Sequence, residues 1–338
     1  MSQQLVHYND ESLVPVRVLE VHRDRLYVAG ERVEKFIPLP VITDGSSDSN
    51  VPTVGDWLLL DQENLHFGHL MERQSLFKRR SAGTSGKIQL IAANINTVFI
   101  VSSCNQDFNE ARLERYLVLA REAGAYPVIV LTKADLADDP EAFAQRARRL
   151  DSSLIIETVN ALDAVSVSKL APFCGIGTTV VLLGSSGVGK STLVNSLTGS
   201  AAAPTQAVRD DDAKGRHTTT GRAFHRLRDG GWLVDTPGMR EIQLTEVAAG
   251  IGQVFDEIEL LAAQCRFSNC SHQSEPGCAV QSALHRGTLD STRLERWRKL
   301  VAEDRRNSET LAQRRSRDKQ FGKMVRSVMQ EKKSHKKH

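Results

Sequence analysis

The chain has 338 residues, 40% of them hydrophobic and 25% charged, with 44 Lys and Arg against 41 Asp and Glu for a net charge of +3. That is ordinary globular composition on a length that suits about two domains, so wholesale disorder and fibrous folds are excluded. Only 5% of residues are aromatic, and no apolar run is long enough to span a bilayer, which excludes a fold built on aromatic clusters and a membrane-spanning helix.

The amino-terminal stretch MSQQLVHYNDESLVP has neither the basic start nor the apolar core of a secretory signal. Up to about residue 75, the β-rich runs Val14–Val21, Arg25–Ala29, Val54–Leu60 and His66–Met71 are separated by turn material such as residues 43–50. Their length and spacing predict a small antiparallel barrel. Lys78, Arg79 and Arg80, with the glycine-containing residues 81–86, read as a basic connection. From about residue 88 strands and helices alternate: strand Thr97–Ser102, helix Glu110–Ala123, strand Val128–Leu131, helix Pro140–Leu150, then strands Leu154–Val159, Thr178–Leu183 and Trp232–Val234. Nearly all-apolar strands alternating with helices predict a parallel sheet covered on both faces. After about residue 245 the strand pattern stops, and a cysteine cluster leads into charged, helix-prone sequence. Residues 292–338 hold sixteen Lys and Arg against six Asp and Glu, a basic end suited to a polyanion: RNA, DNA or an anionic membrane surface. The boundaries expected are 1–80, 88–245 and 246–338.

Gly184, Ser185, Ser186, Gly187, Val188, Gly189, Lys190 and Ser191 spell GxxxxGKS between an apolar strand and a helix. In that setting the glycines let backbone N–H groups face phosphates, and the helix start adds its positive end. Lys190 would neutralise the β- and γ-phosphates, Ser191 would ligate Mg²⁺, and Thr192 joins the nucleotide contacts. Asp235-Thr236-Pro237-Gly238 follows a strand, so Asp235 could hold Mg²⁺ and the Gly238 N–H could meet the γ-phosphate. Between them runs Gly215–Thr220 (GRHTTT), whose Thr219 would complete the Mg²⁺ shell. Thr132, Lys133, Ala134 and Asp135 form a guanine-reading TKAD at a strand end. The carboxylate accepts from two guanine N–H groups, and adenine would leave it unpaired. Asn160 and Ala161 sit where a backbone N–H would meet the guanine O6.

The order of these motifs is TKAD, NA, GSSGVGKS, HTTT, DTPG, a circular permutation of the usual GTPase order. Domain termini lie at the surface and often close together, so a permutation is tolerated. It also routes the segment after DTPG straight into the cysteine cluster. Cys265, Cys270, His272 and Cys278 supply three thiolates and an imidazole, the donor set of a closed structural Zn²⁺ site. Five cysteines, three of them in this cluster, do not make a disulfide scaffold, and a reducing, cytoplasmic setting fits best.

With Ala92-Ala93-Asn94, GRHTTT and the CRFSNCSHQSEPGCAV segment, the chain resembles the RsgA/YjeQ family of circularly permuted GTPases over nearly its whole length. The resemblance implies an N-terminal all-β OB-type RNA-binding barrel, a central α/β permuted P-loop GTPase domain and a C-terminal helical zinc-binding domain. It further implies a monomer that binds the small (30S) ribosomal subunit through 16S rRNA and assists its late maturation. GTP and GDP would be its nucleotides, GTP hydrolysis would be slow until stimulated by the subunit, and no membrane is involved. The residue after DTPG is Met239, which cannot orient water as glutamine does in Ras-type enzymes. His217 is the titratable group of GRHTTT able to accept a proton near neutral pH, and the switch-loop histidine of the family falls on it. His217, with Lys190, is therefore the catalytic candidate, and a ribosomal group is the other source of water positioning. The alternative class is an RNA-binding assembly scaffold whose GTP site is regulatory.

Overall fold

The computed structural model describes residues 12–31, 33–40, 51–80, 88–199, 224–235 and 244–308. Strands β1 (Leu13–Val21), β2 (Arg25–Gly30), β3 (Glu34–Pro38), β4 (Trp57–Asp61) and β5 (Phe67–Leu70) form an antiparallel sheet in the order β3-β2-β1-β4-β5. Val16, Val18, Leu26, Val28, Ile37, Leu58 and Leu60 alternate into one small core. β1 serves both halves of the sheet, and its register against β2 slips between Val18 and Glu20, a bulge that bends the strand. This is the connectivity of an OB-type meander, although no ladder joins β3 to β5 among the described residues, so the sheet is open rather than closed. β3 escapes sequence reading because only Ile37 points inward while Glu34, Lys35 and Phe36 are exposed.

The basic run expected as a connection is a strand instead. β6 (Leu76–Arg80) pairs antiparallel with β7 (Ile88–Ala93), with Phe77 buried opposite Ala92. That cross-strand pair outweighs the charges, which lie along the ribbon.

The central sheet runs β10 (Ile155–Thr158), β9 (Tyr126–Thr132), β8 (Thr97–Ser103), β11 (Thr179–Gly184), β13 (Trp232–Val234), β12 (Phe224–Arg226). Its first five strands are parallel, and β12 is an antiparallel edge on β13. Alternate residues of each strand feed opposite faces. Ile100, Ile129, Leu131 and Val181 meet Leu113 and Leu117 of α1 (Glu110–Glu122) on one side. Phe99, Val101, Val128 and Val180 meet Leu193 and Leu197 of α4 (Lys190–Thr198) on the other. Between these helices lie α2 (Pro140–Arg148) and the short α3 (Ala164–Val167). α5 (Ala248–Val254), α6 (Asp256–Ala262), α7 (Ala279–His285) and α8 (Ser291–Ser308) follow, with no strand after β13 among the described residues.

Two buried polar joints unite the parts. Arg17 of β1 donates to Gly55 O (3.3 Å), Thr179 Oγ1 (2.7 Å) and Asn94 O (3.1 Å), tying the first sheet to β11. Burial pulls its pKa down to about 10, against the opposing pull of Asp56. Asn94, in the left-handed region at φ 55°, accepts from Gln74 N–H and donates to Gly55 O. The second joint is on α1. Glu114, fully buried, accepts from Arg293 Nη1 (2.6 Å) and Arg296 Nε (2.7 Å) of α8. Arg293 also reaches Glu257 (2.7 Å), Val254 O (2.7 Å) and Leu150 O (3.0 Å). Burial raises the Glu114 pKa, and the two guanidiniums oppose that rise. Further along α1, Glu122 accepts from Gly250 N–H of α5 (2.8 Å). A Cβ at Gly250 would stand 2.4 Å from Val118 O, so the two helices meet backbone to backbone.

Removing one partner from a buried charge cluster leaves the others uncompensated. Arg293→Ala is therefore expected to cost about 3–5 kcal/mol in urea unfolding. Arg115→Ala, which breaks the Arg115–Glu303 pair whose side chains are 30% and 29% exposed, is expected to cost less than about 1 kcal/mol.

Candidate functional site

β9, β10, β11 and β13 all end on the carboxyl edge of the central sheet, where open α/β sheets place their ligands. The loop after β11 wraps through Gly184 (φ 158°), Gly187 (φ 79°) and Gly189 (φ 91°). At Gly184 a Cβ would lie 2.4 Å from Val101 O, so β8 and the loop approach too closely for any side chain. Val188 is buried and pins the loop to the core. α4 starts with no side-chain cap, leaving its first N–H groups turned toward the loop. Ser191 and Thr192 stand half-buried at that start. Lys190 Nζ donates to Gly184 O (2.8 Å) and to Ser185 O, while Ser186 and Gly187 are exposed.

The TKAD segment touches this loop directly. Thr132 Oγ1 donates to Val188 O (2.6 Å) and lies 3.4 Å from where a Gly189 Cβ would be. Lys133 is left-handed (φ 58°), which turns the chain into the single turn Ala134–Leu136 and leaves Asp135 exposed. The Asp135 carboxylate has no partner among the described residues. The third segment is held from two helices. The Asn160 N–H donates to Ser166 Oγ (2.9 Å), and Ser196 Oγ donates to Ala161 O (2.6 Å). Asn160 Oδ1 accepts from Leu162 N–H (2.9 Å), so the N–H left without a partner among the described residues is that of Ala161. Asp235 stands exposed at the end of β13. His217, Thr219 and Gly238 lie outside the described residues.

Sequence reasoning missed Ser166, Ser196 and Arg112, whose Nη1 lies 2.5 Å from Ser185 Oγ. Ser166 and Arg112 reach in from helices that no motif marks, and Ser196 from the turn of α4 beyond the motif, so no local signal exposed them.

The cysteine cluster assembles beyond α6. Cys265 follows the helix, His272 is left-handed (φ 57°), and Cys278 caps α7, its Sγ accepting from Gln281 N–H (3.4 Å). The four donor atoms lie within 4.8 Å of one another, with Cys265 Sγ to Cys278 Sγ 3.9 Å and His272 Nδ1 to these sulfurs 3.5 and 3.6 Å. With metal–sulfur bonds of about 2.3 Å and metal–nitrogen of about 2.0 Å, a tetrahedral centre has edges of about 3.8 and 3.5 Å. The donor set fits a metal of that kind. Glu275 shapes the ligand loop by accepting from Ser271, Gln273 and Ser274 N–H groups, and hydrogen bonds from Ser271 above all draw its pKa down to about 2. Gln281 Nε2 and the Arg298 guanidinium both donate to His272 O.

Residues 70–245 match the RsgA GTPase family. Over 330 residues the chain is 48% identical to small ribosomal subunit biogenesis GTPase RsgA 2 of Vibrio parahaemolyticus, covering 98% of this chain and 90% of that one. This chain belongs to the RsgA GTPase family. A second RsgA, from Mesorhizobium japonicum, is 50% identical over 304 residues, covering 89% of this chain and 86% of that protein. The fold agrees with two solved structures. One is YjeQ from Thermotoga maritima (TM-score 0.61, 22% identity, 86% and 98% covered). The other is YloQ, described as a circularly permuted GTPase (TM-score 0.58, 23% identity, 90% and 99% covered). RsgA GTPases are GTP hydrolases, and this chain carries the family's permuted order of strands and loops. Among its described residues no helix is long and apolar enough to cross a membrane.

One tightly bound metal ion per chain is expected, lost on Cys270→Ala with Cys278→Ala. Metal analysis of protein purified without added metal checks this. Retention of a full equivalent by the double variant would exclude the cluster.

Proposed function

We propose that this protein is the GTPase of small ribosomal subunit biogenesis in its cell, acting as a cytoplasmic monomer that binds the 30S subunit through 16S rRNA. The domain of residues 1–80, which carries the sheet β1–β5, and the basic end of the chain supply RNA contacts, residues 88–245 the GTPase, and residues 246–338 the zinc-binding domain that carries α5–α8. The observation that carries this reading is the contact of Thr132 with Val188 and Gly189. It buttresses a base-reading loop on a phosphate-wrapping loop, so a single nucleotide spans both.

Asp135 accepts the guanine N1–H and amino hydrogens, the Lys133 stem covers the ring, and the Ala161 N–H meets O6. The loop from Gly184 to Gly189, with Lys190, Ser191 and Thr192, holds the phosphates, and Gly238 meets the terminal one. Ser191, Thr219 and Asp235 suit Mg²⁺, which neutralises phosphate charge when GTP is bound. Zn²⁺ is the metal that best suits three thiolates and an imidazole, and with four protein ligands its role is structural. His217 takes the proton of the attacking water, the role that Met239 leaves open.

The decisive experiment is GTP turnover with and without purified small subunits: strong stimulation supports the reading, and equal rates refute it. Asp135→Asn should weaken GTP binding by several kcal/mol, since an amide replaces the acceptor carboxylate. Unchanged affinity, measured by titration calorimetry, would reject the base-reading role. His217→Ala should lower stimulated turnover by roughly 10²–10⁴-fold and leave GTP affinity and subunit binding intact. Wild-type stimulated turnover in that variant would transfer the role to a ribosomal group.

A further inference from the structure

The geometry points to Arg112 as an additional ligand of the terminal phosphate of GTP, supplied in cis by α1; this rests on the GTPase reading above. Arg112 lies in the first turn of α1, where its own N–H donates to the capping Asn109 Oδ1 (3.0 Å). Its exposed guanidinium has five N–H donors. One of them meets the neutral hydroxyl of Ser185 at 2.5 Å, and no carboxylate pairs with it among the described residues. Neighbouring cations on α1 and α8 behave differently: Arg115 holds Glu303, and Arg296 holds Glu114.

Lys190 Nζ reaches Ser185 as well, through the carbonyl oxygen. Two cations thus converge on the oxygens of one residue in a phosphate-wrapping loop, an arrangement that an anion would stabilise.

The position along the loop says which phosphate. Thr132, from the base-reading side, touches the far end of the loop at Val188 and Gly189. Gly184, the last residue of β11, and Ser185 after it are the opposite, base-distal end, and β11 pairs with β13, which leads into Asp235. In hydrolysis the water oxygen bonds to the γ-phosphorus while the bond to the β–γ bridging oxygen breaks. That oxygen keeps the electron pair and leaves with GDP, and a water proton passes to the base. Negative charge is spread over the γ-phosphoryl and bridging oxygens in the transition state, where a planar fork of N–H donors binds best. Arg112 exchanges its neutral hydroxyl partner for these oxygens.

The test measures binding of GDP and of a non-hydrolysable GTP analogue, together with GTP turnover, in wild-type protein and in Arg112→Ala and Arg112→Lys. Arg112→Ala is expected to lose at least about tenfold in affinity for the analogue, keep GDP affinity within about twofold, and turn over more slowly. Arg112→Lys is expected to recover part of the loss, because it keeps the charge without the fork. Equal losses for GDP and the analogue would make Arg112 a prop for the loop and overturn the proposal, and so would unchanged binding and turnover. Wild-type protein that binds neither nucleotide would refute the GTPase reading itself, and this inference with it.

Discussion

Glu114 is a carboxylate with no exposed surface, held between two guanidiniums of a helix 179 and 182 residues further along the chain. A buried ion cluster of this kind costs desolvation, and its geometry must be complete to offset that cost. What it secures is orientation. α1 is bound to α8 at Glu114 and Arg115 and to α5 at Glu122. Its other end lies against the phosphate loop through Arg112 and Ser185. α1 therefore touches both the phosphate loop and the C-terminal helices.

The permuted order gives this arrangement its use. Because the phosphate loop and Asp235 come late in the domain, the chain runs from Asp235 at the end of β13 over residues 236–247 into α5, which begins at Ala248. The C-terminal helices are linked to the site twice, once along the chain and once through α1. Cys265, Cys270, His272 and Cys278, whose donor atoms lie within 4.8 Å of one another and could hold a metal ion, sit in the region that receives this link. On the opposite side, Arg17 and Asn94 fasten the first sheet to the amino ends of the central strands. The first sheet and the C-terminal helices thus both fasten to the central domain, one at the amino ends of its strands and the other on α1.

The nucleotide and metal motifs were legible in the sequence because their chemistry depends on short spacing. GxxxxGKS, TKAD and the three-cysteine, one-histidine set each need donors within a few residues of one another, and the strands before them are marked by apolar β-branched runs. The strands that escaped notice had weaker patterns. β3 buries one residue, and β6 carries three consecutive basic residues whose strand character comes from pairing with β7. β12 is only three residues long and takes its antiparallel direction from β13.

By itself the sequence determined the order of the motifs, hence the permutation, the TKAD tetrapeptide at a strand end and the three-cysteine, one-histidine donor set, because each is a local pattern of residue types. The tertiary structure alone decided which of two adjacent N–H groups lacks a partner among the described residues, since Ser166 occupies that of Asn160 and leaves that of Ala161. It alone brought Arg112 to Ser185, across 73 residues of chain. It alone buried Arg17 and Glu114 among distant partners. Such contacts depend on where strands and helices cross, and no spacing along the chain encodes a crossing.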